Sequence, residues 1–455
     1  MTVDENLLKT RKHIHFIGIG GSGMFPMVQI LHSEGFYITG SDNNETETTK
    51  IERKMGIPVT LGQAAENIEG ADLIVYTAAI MSDNPELIAA KASGVPCLER
   101  SDMLGLLTRR YSKAVCVAGT HGKTTTSAMI AQTLLEGCFD PSAFIGGKVK
   151  ALGGSGRAGK SDIFVVEACE FVDTFLKLSN DISVILNIDN DHLDYFGSIE
   201  NSIKSFRKFA SNSTGPVIVN GDDANTMKAV EGLDKEIITF GWSNKNDYYA
   251  ADVRFLGGAK SGYTLMHYGK PICEIRLSIP GKHNILNSMA CAAVCLYLGM
   301  NPEEMAEHID KFPGAGRRFE ILGEVNGVTI ADDYAHHPTE IAATLKAAKE
   351  MDFHEVWAVF QPFTYSRTAL LMDDFVTALS VADHVVMSEI MGSREKNTYN
   401  VYTKDLAEKI PGSVWFNTFK EMADYTMSHA KPGDLVITLG CGDVYKCAYI
   451  MAGID

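Results

Sequence analysis

The segment Lys113-Ala-Val-Cys-Val-Ala-Gly-Thr-His-Gly-Lys-Thr-Thr-Thr126 constrains the fold more than any other part of the chain. Its mostly apolar opening suits an interior strand, Gly119 and Gly122 let the backbone curl, and the composition from Thr124 to Leu135 is helical. A strand that feeds a glycine turn and then a helix aims backbone N–H groups and a helix N-terminus at an anion. Lys123 adds a point charge for terminal phosphates, and the Thr124 hydroxyl falls where such loops hold Mg²⁺. The ligand implied is a nucleoside triphosphate. The general phosphate-loop pattern has a glycine five positions before Gly122; Val117 stands there, which leaves a shortened Gly119-x-x-Gly122-Lys123-Thr124 form. A ligand-free helix cap is the competing reading, and the order of strand, turn, lysine and helix favours the phosphate site.

A chain of 455 residues is too long for one core and suggests about three domains. Lys+Arg of 41 against Asp+Glu of 57 leaves −16, which argues against nonspecific nucleic-acid binding and against an anionic membrane surface. Any phosphate site must therefore be locally positive. Met1 to Arg11 lacks the apolar core of a signal peptide and no apolar run approaches membrane-spanning length, so the expectation is a soluble, cytoplasmic protein. Most of the nine cysteines lie in apolar contexts, as Cys116, Cys291 and Cys295 do, and read as reduced core residues. Cys441 and Cys447 flank a glycine-rich turn without zinc-ligand spacing.

Upstream, a strand from His13 runs into Gly18-x-Gly20-x-x-Gly23, with Gly21 inside the loop, then into a helix through about Ser33 and a second strand, Tyr37–Asp42. Asp42 lies about 20 residues past the glycines, where dinucleotide folds place an acid that reads a ribose or base. A tight turn with no ligand is the alternative. Further strands are expected at 72–79 and 96–100, closing a small α/β module near Arg110.

The central module follows the triphosphate loop. Strands ending at Glu167 and in Asp189, Asp191 and His192 deliver acids and an imidazole, and in parallel sheets ligands gather at the carboxyl ends of strands. Glu167 suits Mg²⁺, which takes one or two protein oxygens beside phosphates and water. From the residues alone His192 is equally a metal ligand, a phosphate donor or a core histidine. The stretch from about Ile237 to Ser278, broken at Gly257-Gly258 and Gly269-Lys-Pro271, suits antiparallel additions. Asn284 and Asn287 share a helix face and offer the donor and acceptor that adenine needs, with helix capping by Asn284 as the alternative.

Phe312-Pro-Gly-Ala-Gly316 reads as a hinge followed by Arg317 and Arg318. A last module begins with Val328-Thr-Ile-Ala-Asp-Asp-Tyr-Ala-His-His-Pro338 and continues with strands at 356–361, 384–388 and 435–439, each ending in a polar or glycine-rich loop, among them the one from Gly392 to Lys396. Arg367 on one rim with Asp333, Tyr334 and His336 suits a small zwitterion, because a guanidinium holds a carboxylate bidentately.

Taken together, His15-Phe-Ile-Gly-Ile-Gly-Gly-Ser-Gly-Met24, the Lys123 loop, Asp332-Asp-Tyr-Ala-His-His-Pro-Thr-Glu340 and Phe360-Gln-Pro-Phe-Thr-Tyr-Ser-Arg-Thr368 resemble the Mur ligases, ATP-dependent enzymes that build the peptide stem of bacterial peptidoglycan. The resemblance covers essentially the whole chain. It implies an α/β fold of three domains: an N-terminal Rossmann-like nucleotide-sugar domain over 1–110, a central P-loop ATPase-type domain over 111–315, and a C-terminal Rossmann-like domain over 316–455. It also implies that ATP phosphorylates the lactyl carboxylate of UDP-N-acetylmuramate and that the amine of L-alanine attacks the acyl phosphate. Under it, Gly119, Thr120, His121, Gly122, Lys123, Thr124 and Thr125 hold ATP phosphates. Thr124, Glu167 and His192 are Mg²⁺ ligands, and Arg318 clamps the transferring phosphate. Asn284 and Asn287 read adenine, and Asp333 the ATP ribose. Gly18, Gly20, Gly21, Gly23 and Asp42 take the UDP moiety, and Tyr334, His336 and Arg367 hold alanine. Phe363 stands where the family commonly shows a histidine, and Glu170 and Asp173 receive no role. The rivals are a tripeptide-recycling ligase of the same fold, whose glycine loop usually carries bulkier residues, a noncatalytic nucleotide-responsive scaffold, and a dinucleotide-dependent dehydrogenase, which leaves the Lys123 loop unexplained.

Overall fold

The computed structural model describes residues 7–256, 260–393 and 395–454. The expected break at Gly257-Gly258, and Arg394 in the loop from Gly392 to Lys396, lie outside the described residues. By its internal contacts the chain forms two compact units. One runs through Ala250 and takes in Leu265–Cys273 and Asn287–His308; the other takes in Ala251–Thr264, Glu274–Leu286 and Ile309–Asp455.

The first unit opens with five parallel strands in the spatial order Val59–Leu61, Tyr37–Asp42, His13–Ile17, Leu73–Tyr76, Cys97–Glu99. Strand order reverses beside His13–Ile17, so the glycine loop at its carboxyl end sits at a topological switch point, where open α/β sheets bind ligands. In a second, larger sheet Lys113–Ala118 lies centrally, flanked in parallel by Ile182–Ile185 and Ile163–Glu167. The burial explains the unbroken apolar run of this strand: Ala114 through Ala118 are fully buried, as parallel strands covered on both faces require. Beyond Ile182–Ile185 come Val217–Asn220 and Ile237–Gly241, the latter paired at Phe240 and Gly241 with Tyr248 and Tyr249. Ser142–Val149 and Gly154–Arg157, which the sequence did not announce, complete the other side.

These two sheets share one hydrophobic core, continuous from Ile14, Phe16 and Met27 through Leu104 and Leu107 to Phe164, Phe175 and Phe206. Gly105 marks a close approach: a Cβ there would stand 2.3 Å from the Lys177 carbonyl oxygen, so only glycine lets this helix pack so tightly.

The second unit carries a six-stranded sheet in the order Glu320–Val325, Val328–Asp333, Leu435–Leu439, Val356–Phe360, His384–Ser388, Val414–Phe416. All neighbours are parallel except the first hairpin. One core, built on Leu345, Phe360 and Phe375, covers one face, and another, built on Trp357, Met422 and Cys447, covers the opposite one. A doubly wound sheet buried on both sides accounts for apolar strands that each end abruptly in polar loops.

Candidate active site

Gly119 and Gly122 adopt φ of 141° and 85°, values that L side chains rarely take, and the helix Lys123–Glu136 starts at once. The curl returns Lys123 over its own loop: Nζ donates to the carbonyls of Gly119 at 2.5 Å and Thr120 at 3.0 Å, and lies 2.9 Å from a carboxylate oxygen of Glu170. Burial by itself would lower the pKa of this ammonium. The charge of Glu170, with Cys169 and Glu167 beside it, outweighs that effect and raises it to about 12, so the lysine is cationic at any physiological pH.

Sheet register places Glu167 opposite Val117, one residue before the loop's strand ends. Its Oε1 accepts the Thr124 hydroxyl at 3.0 Å and its Oε2 the Gly146 N–H at 2.7 Å. A carboxylate oriented from both sides beside a hydroxyl is a set of hard oxygen donors, which fits Mg²⁺. His192 sits in left-handed backbone at φ 52°, its ring packs on Phe171 with centroids 4.6 Å apart, and its Nε2 lies 3.7 Å from Asp191.

Asn187, which no sequence signal singled out, fixes the loop. Its side chain accepts the His121 N–H at 2.8 Å and donates to the His121 carbonyl at 3.0 Å, while its own carbonyl accepts the Thr120 N–H. The Thr120 hydroxyl then accepts the Asp189 N–H, and His121 lies 3.2 Å from the Asp189 carboxylate. Asn287 also reaches this loop, since a Cβ on Gly122 would stand 2.7 Å from its Oδ1. Asn284 lies inside the first turn of the helix Lys282–Tyr297 and donates from Nδ2 to the Pro280 carbonyl, which is the opposite polarity from an N-cap.

At the glycine loop of the first sheet, Asp42 Oδ2 accepts the Gly20 N–H at 3.0 Å, and Gly18 has φ 80°. A Cβ on Gly20 would stand 2.6 Å from Thr49 Cγ2, so the absence of side chains keeps this loop tight against its neighbours. Beneath it lies a buried polar chain: His15 pairs with Glu86 at 2.7 Å, and Glu86 also accepts the Ser41 hydroxyl at 2.7 Å.

In the second unit the two hinge arginines separate in role. Arg317, at φ 59°, donates to Asp332 at 2.8 Å and to the Gly440 carbonyl at 2.7 Å, and binds the hinge to the sheet. Arg318 lies over the Tyr334 ring at 5.1 Å. Asp333 is buried, with one carboxylate oxygen accepting the Phe319 N–H and the other the Ala335 N–H, both at 2.7 Å. Burial pushes its pKa up to about 6, against the opposing pull of Arg318 and those two N–H donors. His336 packs edge-on to Tyr334 and lies 3.3 Å from Glu340. Arg367 lies in the helix Tyr365–Leu370, and its charge and that of Glu340 act in opposite senses on the half-buried Cys441 thiol, whose pKa burial raises.

A lysine-bearing phosphate loop backed by an oriented strand-end carboxylate, in a chain that adds a glycine-loop sheet before it and a doubly wound sheet after it, defines a nucleotide-dependent transfer enzyme. Three family models match in series: "Mur ligase family, catalytic domain" over 13–112, "Mur ligase middle domain" over 117–295, and "Mur ligase, glutamate ligase domain" over 317–442. The chain belongs to the Mur ligase family. It is 45% identical to the UDP-N-acetylmuramate–L-alanine ligase of Caldanaerobacter subterraneus subsp. tengcongensis, covering 96% of this chain and 97% of that one. It is equally identical to the ligase of the same name from Agathobacter rectalis, over 95% and 96%. The crystal structure of UDP-N-acetylmuramate-alanine ligase from Thermotoga maritima superposes with a TM-score of 0.84 at 30% identity, covering 97% of this chain and 98% of that one. A murein peptide ligase from Psychrobacter arcticus, 22% identical with a TM-score of 0.75 and the same coverage, shares the fold.

Proposed function

We propose that this chain is the ATP-dependent ligase that joins L-alanine to the lactyl carboxylate of UDP-N-acetylmuramate, a step of peptidoglycan precursor synthesis. The observation that carries this reading is the Lys123–Thr124–Glu167 cluster within a chain 45% identical, end to end, to alanine ligases. A carboxylate oxygen attacks the γ-phosphorus of ATP, giving an acyl phosphate and ADP. The alanine amine then attacks the acyl carbon, phosphate leaves with the C–O bond's electron pair, and the nitrogen sheds a proton. No covalent enzyme intermediate is needed, so the protein's work is positioning and charge neutralisation.

Lys123 is the cation for the β/γ-phosphates, and the N–H groups around Gly119 to Thr125 cradle them. Thr124, Glu167 and His192 are the residues we assign to Mg²⁺, whose charge offsets that of the transferring group. Arg318 is assigned to the transferring phosphate, Asn284 and Asn287 to adenine, and Asp333 to the ATP ribose. Gly18, Gly20, Gly21, Gly23 and Asp42 are assigned to UDP, and Tyr334, His336 and Arg367 to alanine. The three functional segments are 1–110, 111–315 and 316–455. The reaction belongs in the cytoplasm, where ATP and nucleotide sugars are made; among the described residues no helix is long and apolar enough to cross a membrane.

Phosphate release from ATP and Mg²⁺ with UDP-N-acetylmuramate tests the reading, with L-alanine compared against glycine, L-serine, a tripeptide and no amine. The expected result is release stimulated chiefly by L-alanine, with the amide product seen by mass. Stimulation by the tripeptide would make the chain a recycling ligase, and tight ATP binding without turnover would make it a scaffold.

A further inference from the structure

Arg100 is an arginine without an anion. It opens the helix Arg100–Thr108 and is half-buried, yet among the described residues its guanidinium has no hydrogen bond or ion pair. The acids beside it in sequence are already committed: Glu99 accepts the Ser101 hydroxyl at 2.8 Å, and Asp102 pairs with Lys177 at 2.9 Å. A cation held out of bulk water without a partner carries a desolvation cost that a bound anion would offset.

Two contacts show where that anion would lie. The guanidinium rests against the glycine loop, and a Cβ on Gly23 would stand 3.4 Å from Nη1 and 3.6 Å from Cζ. There the backbone N–H groups of Ser22 and Gly23 have no acceptor among the described residues. Arg100 also lines a small cleft together with Glu167, Cys169 and Thr174, so it borders the cleft of the residue that we assign to Mg²⁺. The two substrate-handling regions of the first unit therefore meet at one unpaired cation.

We propose that Arg100 is a substrate-binding residue that takes an anionic group of the nucleotide sugar, a phosphate of its diphosphate or its reacting carboxylate, between the glycine loop and Glu167. This rests on the ligase reading above. A planar guanidinium offers two parallel N–H donors to either oxyanion, which a lysine does not. In a chain of net charge −16, a local cation of this kind is what lets a multiply anionic substrate approach.

Calorimetric titration of the full chain with UDP-N-acetylmuramate, UDP-N-acetylglucosamine and ATP, for wild type, Arg100→Lys and Arg100→Gln, tests the assignment, with melting temperatures measured in parallel. The expected result for Arg100→Gln is a UDP-N-acetylmuramate Kd raised about 10- to 100-fold, with ATP affinity and melting temperature unchanged and Arg100→Lys intermediate. An equal loss for UDP-N-acetylglucosamine, which lacks the carboxylate, assigns Arg100 to the diphosphate; a loss confined to UDP-N-acetylmuramate assigns it to the carboxylate. Wild-type binding of UDP-N-acetylmuramate with unchanged affinity in both variants would overturn the role of Arg100 alone. Wild type that binds no UDP-N-acetylmuramate would overturn the ligase reading and this assignment with it.

Discussion

Glu52 is the residue whose surroundings least suit its chemistry. It lies on the helix Glu47–Lys54, fully buried, and among the described residues neither carboxylate oxygen has a hydrogen-bond partner. Burial, reinforced by the charge of Asp42 and only partly opposed by Arg53, raises its pKa from 4.5 to about 8, so it is largely protonated at neutral pH. The sign of the pH dependence follows. Between about pH 4.5 and 8 the folded protein holds a proton that the unfolded chain has released, so stability falls as pH rises through that window and the full cost is present above it. Glu52→Gln removes the ionisation and keeps the shape. The melting temperature of the variant relative to the parent is expected to rise steadily from pH 5 to pH 8.5; a pH-independent difference would mean that Glu52 does not titrate in that range. At this scale the sequence was informative where a residue's setting is local, as for the turn that carries Lys123. It was silent on Asn187, Glu170 and Arg100, whose spatial neighbours lie 47 to 77 positions away and are chosen by sheet register and helix packing.

At the scale of elements, the strand–turn–helix around Lys123 was legible because each of its signals is local. An apolar run, glycines where φ must be positive, and a helical composition agree with one another over a dozen residues. The hairpin Glu320–Val325 to Val328–Asp333 escaped notice although its turn, Asn326-Gly327 with φ of 53° and 81°, is the strongest short hairpin signal there is. Its first strand is half polar and lies on a sheet edge, so it carries no apolar run to flag it. The glycine at the head of the Lys123 helix can be tested directly. Gly122→Ala asks an L-residue to hold φ 85° and sets its Cβ 2.7 Å from Asn287 Oδ1 and 3.3 Å from Leu186 Cδ1. Left-handed backbone alone costs about 1–2 kcal/mol, and relieving the clash moves either the loop or Asn287. The expected outcome is a lower melting temperature together with ATP affinity reduced by about tenfold or more, both read by thermal shift with and without nucleotide. Retained affinity at a lowered melting temperature would mean that the loop tolerates the distortion and that Asn287 is not part of the nucleotide site.

At the scale of the whole molecule, the proposed chemistry divides between the two compact units: Lys123, Thr124 and Glu167 belong to the first, and Tyr334, His336 and Arg367 to the second. Composition foreshadowed several cores. What it could not convey is that the first two sheets share a hydrophobic core, because that depends on close packing at points such as Gly105 and Gly156 rather than on the apolar content of either segment. The division makes the amino-acid site separable from the phosphate site by mutation. Arg367 is the guanidinium we assign to the amino acid, and a guanidinium paired bidentately with a carboxylate contributes about 1.5–3 kcal/mol. Arg367→Ala is therefore expected to raise the KM for L-alanine about tenfold or more while the KM for ATP stays within about twofold, measured by phosphate release at saturating UDP-N-acetylmuramate. If both constants rise together, Arg367 acts on the assembly of the site as a whole and not on the amino acid. If only kcat falls, its contact is made in the transition state and the carboxylate of alanine is held by another residue.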